Sequence, residues 1–135
     1  MPEAQGGLEK DFPNSHMSLL DNTQLALESA MGGAMLRQSV LANDLANAET
    51  PNFEPSDVNF QQTLDSAMAA GQSPTSVAYS PYVQPQQTSA DGNGVDPELT
   101  NANIAENGLL YQDLVQIASA REGILETAMN TTTAA

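Results

Sequence analysis

Residues 91–96, Asp-Gly-Asn-Gly-Val-Asp, combine oxygen-bearing side chains and glycines in the manner of a calcium-binding loop. An EF-hand loop needs an oxygen ligand at its fifth position, glycine at its sixth and a bidentate glutamate at its twelfth. Those positions hold Val95, Asp96 and Ala102, so the run departs from the calcium pattern at each of them. We interpret it as a turn leading into a helix, because Asp96 is a good N-cap and Pro97 suits the first helical turn. We therefore expect no metal site.

Catalytic chemistry has few candidate residues. The only histidine is His16 and there is no cysteine, so Ser-His-Asp and Cys-His nucleophilic arrangements are not available. The 17 aspartates and glutamates supply many carboxylates, but no apolar segment is placed to raise the pKa of one member of a pair. We interpret the acids as a solvated surface and expect no enzymatic activity and no cofactor.

Positive charge is scarce, because Lys10, Arg37 and Arg121 are the only basic residues besides the histidine and the formal net charge is −14. A nucleic-acid-binding protein needs a basic footprint, and an anionic membrane surface would repel this chain. No run of about 18 apolar residues is present. Nucleic-acid binding and direct membrane insertion are therefore not expected.

Arg37 and Arg121 are expected near the middle of two helices, among apolar neighbours. They could extend out of the apolar stripe toward water. Alternatively, they form specific ion pairs, which the scarcity of cations favours. The candidate acidic partners, within one subunit or between subunits, are Glu28, Asp44, Asp113 and Glu122.

Residues 17–49 predict a long N-terminal helix, because apolar side chains recur with the seven-residue spacing of a coiled-coil stripe. Gly32 and Gly33, in its middle, indicate a kink or a close approach by another element. Thr50, which precedes Pro51, is expected to end the helix. The stripe comprises Leu20, Leu27, Met31, Ala34, Leu41, Leu45 and Ala48.

The apolar spacing of residues 96–130 predicts a C-terminal helix. Between the two helices, residues 50–95 are rich in Pro and Gln, and we expect an irregular segment there with minor β structure and a short helix within 57–70. The fold class is mainly α, with the terminal helices pairing as a coiled coil, with each other or with neighbouring subunits. Aromatic residues are only 4% of the chain, so the core should be thin and the protein elongated or partner-dependent. The C-terminal stripe is Leu110, Leu114, Ile117, Arg121, Ile124 and Ala128.

Residues 1–16 form a polar leader that we expect to be either a disordered extension or a cloning remnant, with Met17 as a natural start. No basic stretch followed by an apolar stretch begins the sequence, so an ordinary secretory signal is not expected. Residues 17–135 are predicted to be a single domain.

Residues 42–53 are the most specific segment of the chain. Asn43 and Asn47 lie four residues apart on one helical face, among alanines, which suits close helix contact with hydrogen bonds between side-chain amides. Two asparagines near a helix end are intrinsically unfavourable, so packing should compensate.

Residues 37–53, RQSVLANDLANAETPNF, resemble the signature of the bacterial flagellar rod and hook proteins, which is roughly A-N-N-L-A-N-x-x-T-P-G-[YF]. Asp44 replaces the usual second asparagine, and Asn52 replaces the usual glycine, although asparagine also tolerates left-handed backbone. Asp57, Phe60 and the run at 91–112 fit as well, whereas the basic residues that often follow the motif are absent. The matching residues are Ala42, Asn43, Leu45, Ala46, Asn47, Thr50, Pro51 and Phe53.

The resemblance implies a structural subunit whose terminal helices pair in the core of a polymer that transmits motor torque across the periplasm. It implies export through the flagellar type III apparatus without a cleaved signal peptide. The implied partners are other rod proteins, further copies of the chain, the basal-body ring and the export-gate adaptor. An insert of about 45 residues argues for the proximal rod group. Within that group, residues 91–98 and 106–112 favour one subunit type over its companion.

Two alternatives belong to other classes. One is a small acidic helical adaptor or export chaperone, against which the motif decides because chaperones lack it; the other is a metal-binding module. For a rod subunit, we expect the assembly interface to be built from the stripe residues and the motif asparagines: Leu27, Met31, Leu41, Asn43, Leu45, Asn47, Leu110, Leu114, Ile117 and Ile124.

Overall fold

The computed structural model describes residues 15–85 and 88–133, with side chains described from residue 21 onward. The chain is mainly helical, which confirms the predicted class. The elements are α1 at Ser15–Ala46, β1 at Ser56–Asp57, α2 at Phe60–Ala69, a short 3₁₀ helix at Pro74–Ser76, β2 at Tyr82–Val83 and α3 at Pro97–Thr133. Most of the leader, residues 1–14, and the side chain of stripe residue Leu20 lie outside the described part.

The first helix ends at Ala46, three residues before the predicted end at residue 49. The backbone amide of Asn47 is shared between the carbonyls of Asn43 and Asp44, at 3.1 Å each. The amide of Ala48 then bonds to Leu45, so the last turn tightens to bonds spanning three residues. The helix therefore loses its regular pattern before it reaches the proline.

The middle segment folds against α1 through a small core. β1 and β2 form an antiparallel pair in which Ser56 faces Val83 and Asp57 faces Tyr82. Phe60, at the start of α2, and Tyr79 meet edge to face with ring centroids 6.3 Å apart. The buried residues of the core are Ala30, Ala34, Val58, Phe60 and Leu64.

Gly33 provides the space for this core. A Cβ atom added at Gly33 would lie 2.5 Å from the Cβ of Phe60, whereas one added at Gly32 would meet nothing within 4 Å. Gly33 is therefore the position where α2 approaches α1 closely, which was one of the two interpretations of the glycine pair.

The two long helices pack side by side. Asn107 of α3 is 1% exposed, and its side-chain amide donates to the carbonyl of Ala34, at 2.9 Å, and to Oε1 of Gln38, at 2.8 Å. Asn93, which precedes α3, contacts the end of α1 at Asn47. The two contacts together fix an antiparallel arrangement, because the later residue of α1 meets the earlier residue of the partner segment.

Candidate assembly site

The end of α1 is capped by a side chain from a distant part of the sequence. Asn93 is 3% exposed, and its amide nitrogen donates to the carbonyls of Asn47, at 2.9 Å, and Thr50, at 2.6 Å. Its carbonyl oxygen accepts from the amide of Val95 at 2.7 Å. The last carbonyls of a helix lack partners inside the helix. Asn93 adds a second donor to two carbonyls that also accept from the amides of Thr50 and Phe53.

Backbone hydrogen bonds join the same two segments. The amide of Asn52 donates to the carbonyl of Asp91 at 3.1 Å, and the amide of Gly94 donates to the carbonyl of Phe53 at 3.0 Å. We call residues 43–57 together with residues 89–95 the motif junction. The run that first suggested a calcium loop thus serves to hold the family motif in place.

The backbone at Asn52 has a φ of 60°, and among the described residues it is the only non-glycine with positive φ. Asparagine is one of the few residues that adopt this left-handed conformation at small cost. This explains how Asn52 occupies a position where the resembling family usually has glycine.

Asp44 holds β1 against α1. It is 3% exposed, and its two carboxylate oxygens accept from the amide of Ser56 at 3.2 and 3.1 Å. Burial raises the pKa of Asp44, and the negative charge of nearby Asp57 acts in the same direction, while the hydrogen bond from Ser56 acts against it. A buried carboxylate therefore lies within the motif junction.

Arg37 forms an ion pair with Asp57, a residue outside the four predicted partners. Its Nε lies 2.7 Å from Oδ1 and its Nη2 lies 3.1 Å from Oδ2, so the pair is bidentate. This hydrogen bonding is the main reason that the pKa of Arg37 is raised. The ion pair predicted for Arg37 is therefore present, but within the described part of the chain its partner is none of the candidates Glu28, Asp44, Asp113 and Glu122. Those candidates were all on the two long helices, while the partner lies in β1.

Asp57 also accepts from the amide of Val58 at 2.7 Å, which fixes its carboxylate toward Arg37. The family resemblance had marked Asp57 without giving it a role. Arg121 is half-buried on α3, and its pairing stays a prediction.

The predicted interface residues fall into three groups. Leu41 is fully buried within the chain, and Asn43 is exposed. Ile117 and Ile124 are also exposed, at 51% and 69%. The half-buried remainder comprises Leu27, Met31, Leu45, Asn47, Leu110 and Leu114.

The side of α3 that packs inward differs from the predicted stripe. Its buried residues are Thr100, Asn107 and Ala118, which are small or polar, while Leu110 and Leu114 pack at the edge of the core. The search for apolar periodicity missed Asn107, because the buried amide meets α1 through hydrogen bonds. The available signal was its place three residues before Leu110, the first residue of the stripe, which alone does not distinguish a buried amide from an exposed one.

Within residues 15–85 and 88–133 the structure shows neither a metal-binding cluster nor a membrane-spanning helix. No group of three acidic or histidine side chains in those ranges is arranged to hold a metal ion. None of the helices there combines the length and apolar character needed to cross a bilayer. The candidate assembly features of the described part of the chain are therefore the exposed faces of α1 and α3 and the hydrogen-bonded motif junction.

Comparison with known proteins gives a consistent result. The chain is 32% identical over 126 residues to the flagellar basal body rod protein FlgB of Bacillus subtilis strain 168, covering 84% of this chain and 97% of the relative. It is 33% identical over 135 residues to FlgB of Escherichia coli K12, covering 83% and 96%. FlgB of Proteus mirabilis HI4320 is 33% identical over 113 residues, covering 69% and 82%. No protein-family model matches the chain.

Proposed function

Because this chain belongs to the FlgB family of flagellar basal body rod proteins, we propose that it is a non-enzymatic structural subunit of the proximal rod. In this proposal, subunits polymerise through their terminal helices, and the resulting rod transmits motor torque across the periplasm. The observation that carries it is identity of 32–33% extending over 82–97% of the length of three FlgB proteins.

The geometry of the motif junction supports a role in transmitting mechanical force. Torque passing along α1 has to reach the middle segment and α3 without bending the connection. Asn93, Asp44 and the Arg37–Asp57 pair bind the end of α1 to both segments with hydrogen bonds at 2.6–3.2 Å. Buried, satisfied polar networks of this kind rigidify a structure.

The distribution of apolar side chains supports polymerisation. Ile117 and Ile124 were predicted interface residues, and both remain exposed on α3. Exposed aliphatic side chains on a long helix are typical of a surface that a partner covers. We propose coiled-coil pairing of the terminal helices both within a subunit and with neighbouring rod subunits, and we assign the covering of these two side chains to the second contact.

The partners in this proposal are further copies of the chain, other rod proteins, the basal-body ring and the export-gate adaptor. The location is the periplasmic rod, reached through the flagellar type III export apparatus without a cleaved signal peptide. The companion proximal rod protein FlgC is the alternative within the family, and the FlgB names of the three relatives favour the FlgB type. The motif disfavours an acidic adaptor or export chaperone.

Incorporation into the rod can be tested with a tag in an exposed loop. Residues 70–73, after α2, are exposed, and Gly71 has a φ of +78°, so an epitope inserted there should leave the long helices unaltered. We expect gold-labelled antibody to decorate the rod of purified basal bodies, with the untagged chain as the control. Label absent from basal bodies that still contain rods, although the tagged chain supports motility, would contradict the proposal.

A further inference from the structure

One line of α3 side chains lies exposed with the spacing of a coiled-coil seam. Leu99, Glu106, Leu109, Asp113, Ile117 and Ile124 follow one another at intervals of seven, three, four, four and seven residues, which keeps them on one side of a helix. We call these six residues the acidic seam. Leu109 is 64% exposed and Ile124 is 69% exposed.

Most of the acidic seam lies away from the side of α3 that faces the rest of the chain, while Glu106, at its edge, borders a cleft that Arg37 and Tyr82 also line. Thr100, Asn107 and Ala118 are the buried residues of α3. At about 100° of rotation per residue, they lie roughly a third of a turn or more from the centre of the seam. The seam spans about 37 Å at 1.5 Å per residue. It is therefore a second face, long enough to accept another helix over several turns.

Charge decides which helix can dock there. Glu106 and Asp113 stand at seam positions between aliphatic residues, and Glu98 is exposed beside them. The only basic residue in α3 is Arg121. Arg37 of α1 feels the charge of Glu106, but its guanidinium is bound to Asp57. A helix covering this face would bury both seam carboxylates, and only a helix with cations of its own would give them a counter-charge.

A second copy of the same seam cannot supply those cations. In a parallel pair in register, Glu106 faces Glu106 and Asp113 faces Asp113. In an antiparallel pair centred on the seam, Glu106 lies opposite Ile117, and Asp113 lies opposite Leu109 and Leu110. The parallel arrangement buries like charges against each other, and the antiparallel arrangement buries carboxylates against aliphatic side chains. Neither places a cation of the seam opposite them, which is unfavourable.

We propose that the acidic seam docks an amphipathic helix of a different protein, with aliphatic residues at matching positions and Lys or Arg opposite Glu106 and Asp113. The proposal rests on the function proposed above, since it names the chemistry of one partner in the rod. It assigns the two carboxylates a specificity role: they disfavour the pairing of two identical seams and select a basic partner helix.

Two synthetic helical peptides test the charge requirement directly. Both carry Leu and Ile at seam spacing, and they differ only in having Lys or Glu at the two positions facing Glu106 and Asp113. Fluorescence anisotropy with the full chain should give about tenfold or greater preference for the Lys peptide, shrinking as salt screens the charges. Absence of binding, or equal affinity for both peptides, would overturn the proposal.

Matched variants separate a specific seam from general acidity. Glu106→Gln with Asp113→Asn should abolish the preference. Glu122→Gln with Glu126→Gln removes two exposed acids of α3 outside the seam and should retain it. Equal loss in both double variants would refute the seam. By sedimentation, Glu106→Leu with Asp113→Leu should associate with itself at concentrations where the original chain does not; no such gain would also count against the proposal.

The proposed function can fail independently of this inference. If the rods contain the tagged chain but the two peptides bind with equal affinity, the rod assignment is supported and the selectivity of the seam is refuted. Basal bodies that lack the chain, combined with a clear Lys preference, would do the reverse.

Discussion

The amide nitrogen of Asn93 donates to the backbone carbonyl of Asn47 at 2.9 Å, linking the segment before α3 to the end of α1 across 46 positions of sequence. The same nitrogen reaches the carbonyl of Thr50 at 2.6 Å. A single buried side chain thereby ties the family motif to the segment that leads into α3. Together with the contacts of Asn107, this tie fixes the orientation of the two long helices.

Replacing Asn93 with alanine should lower the free energy of unfolding by about 1–3 kcal/mol, because two part-buried carbonyls each lose one of their donors and the amide of Val95 loses its acceptor. Urea denaturation measures the change. Asn101→Ala, at an exposed position of α3, is the matched control and should be neutral or slightly stabilising. Equal effects of the two substitutions would show that Asn93 does not hold the junction.

The adjacent glycines of α1 should respond in opposite directions to alanine. Gly33→Ala places a methyl group against Phe60 and should destabilise by about 1–3 kcal/mol through overpacking. Gly32→Ala enters open space and should stabilise by about 1 kcal/mol through helix propensity. Thermal unfolding monitored by circular dichroism distinguishes them, and a stabilising Gly33→Ala would disprove the close contact with α2.

The Arg37–Asp57 pair should show measurable coupling. Arg37→Met leaves the half-buried carboxylate of Asp57 without its bidentate partner and should cost about 1–3 kcal/mol. Arg37→Lys should recover only part of this, because an ammonium cannot reproduce the fork. A double-mutant cycle with Asp57→Asn should give a coupling energy of about 0.5–3 kcal/mol; additive effects would mean that the pair is incidental.

Asp44 should make stability depend on pH in a defined direction. Burial raises its pKa above the ordinary value of 3.8, so the folded chain binds this proton more tightly than the unfolded chain does. Stability relative to Asp44→Asn should therefore fall as pH rises from below 3.8 through the raised pKa. The asparagine variant keeps an oxygen for the amide of Ser56 and carries no proton to lose.

Unfolding of both chains between pH 3 and pH 7 tests this sign. Asp65→Asn, on the exposed side of α2, controls for the loss of one negative charge. A difference between the original chain and Asp44→Asn that stays constant, or that moves in favour of the original chain as pH rises, would contradict the effect of burial.

Periodicity was sufficient to predict the mainly α class, because long helices leave a regular apolar pattern. The motif likewise pointed to the left-handed position at Asn52, since backbone requirements are local. Arg37 shows where sequence reasoning stops: it was recognised as an ion-pair candidate, but its partner belongs to a two-residue strand with no periodic signal.

Asn93 and Asn107 were not identified in advance for a related reason. Asn93 binds the carbonyl just after α1, 46 residues away, and Asn107 binds a carbonyl within α1, 73 residues away. A polar residue in the sequence does not indicate whether such a carbonyl will be nearby. Only the packing of α1 against the rest of the chain gives these residues their roles. For the same reason the inward face of α3 was not predicted: it contains the buried amide of Asn107 and does not follow the line of large apolar residues.

The central claim is that this chain builds the proximal rod, and electron microscopy of basal bodies from cells lacking its gene tests it most directly. We expect the membrane ring to be present without a rod, and we expect the intact gene supplied on a plasmid to restore the rod. Rods of normal length and diameter in the deletion strain would contradict the claim.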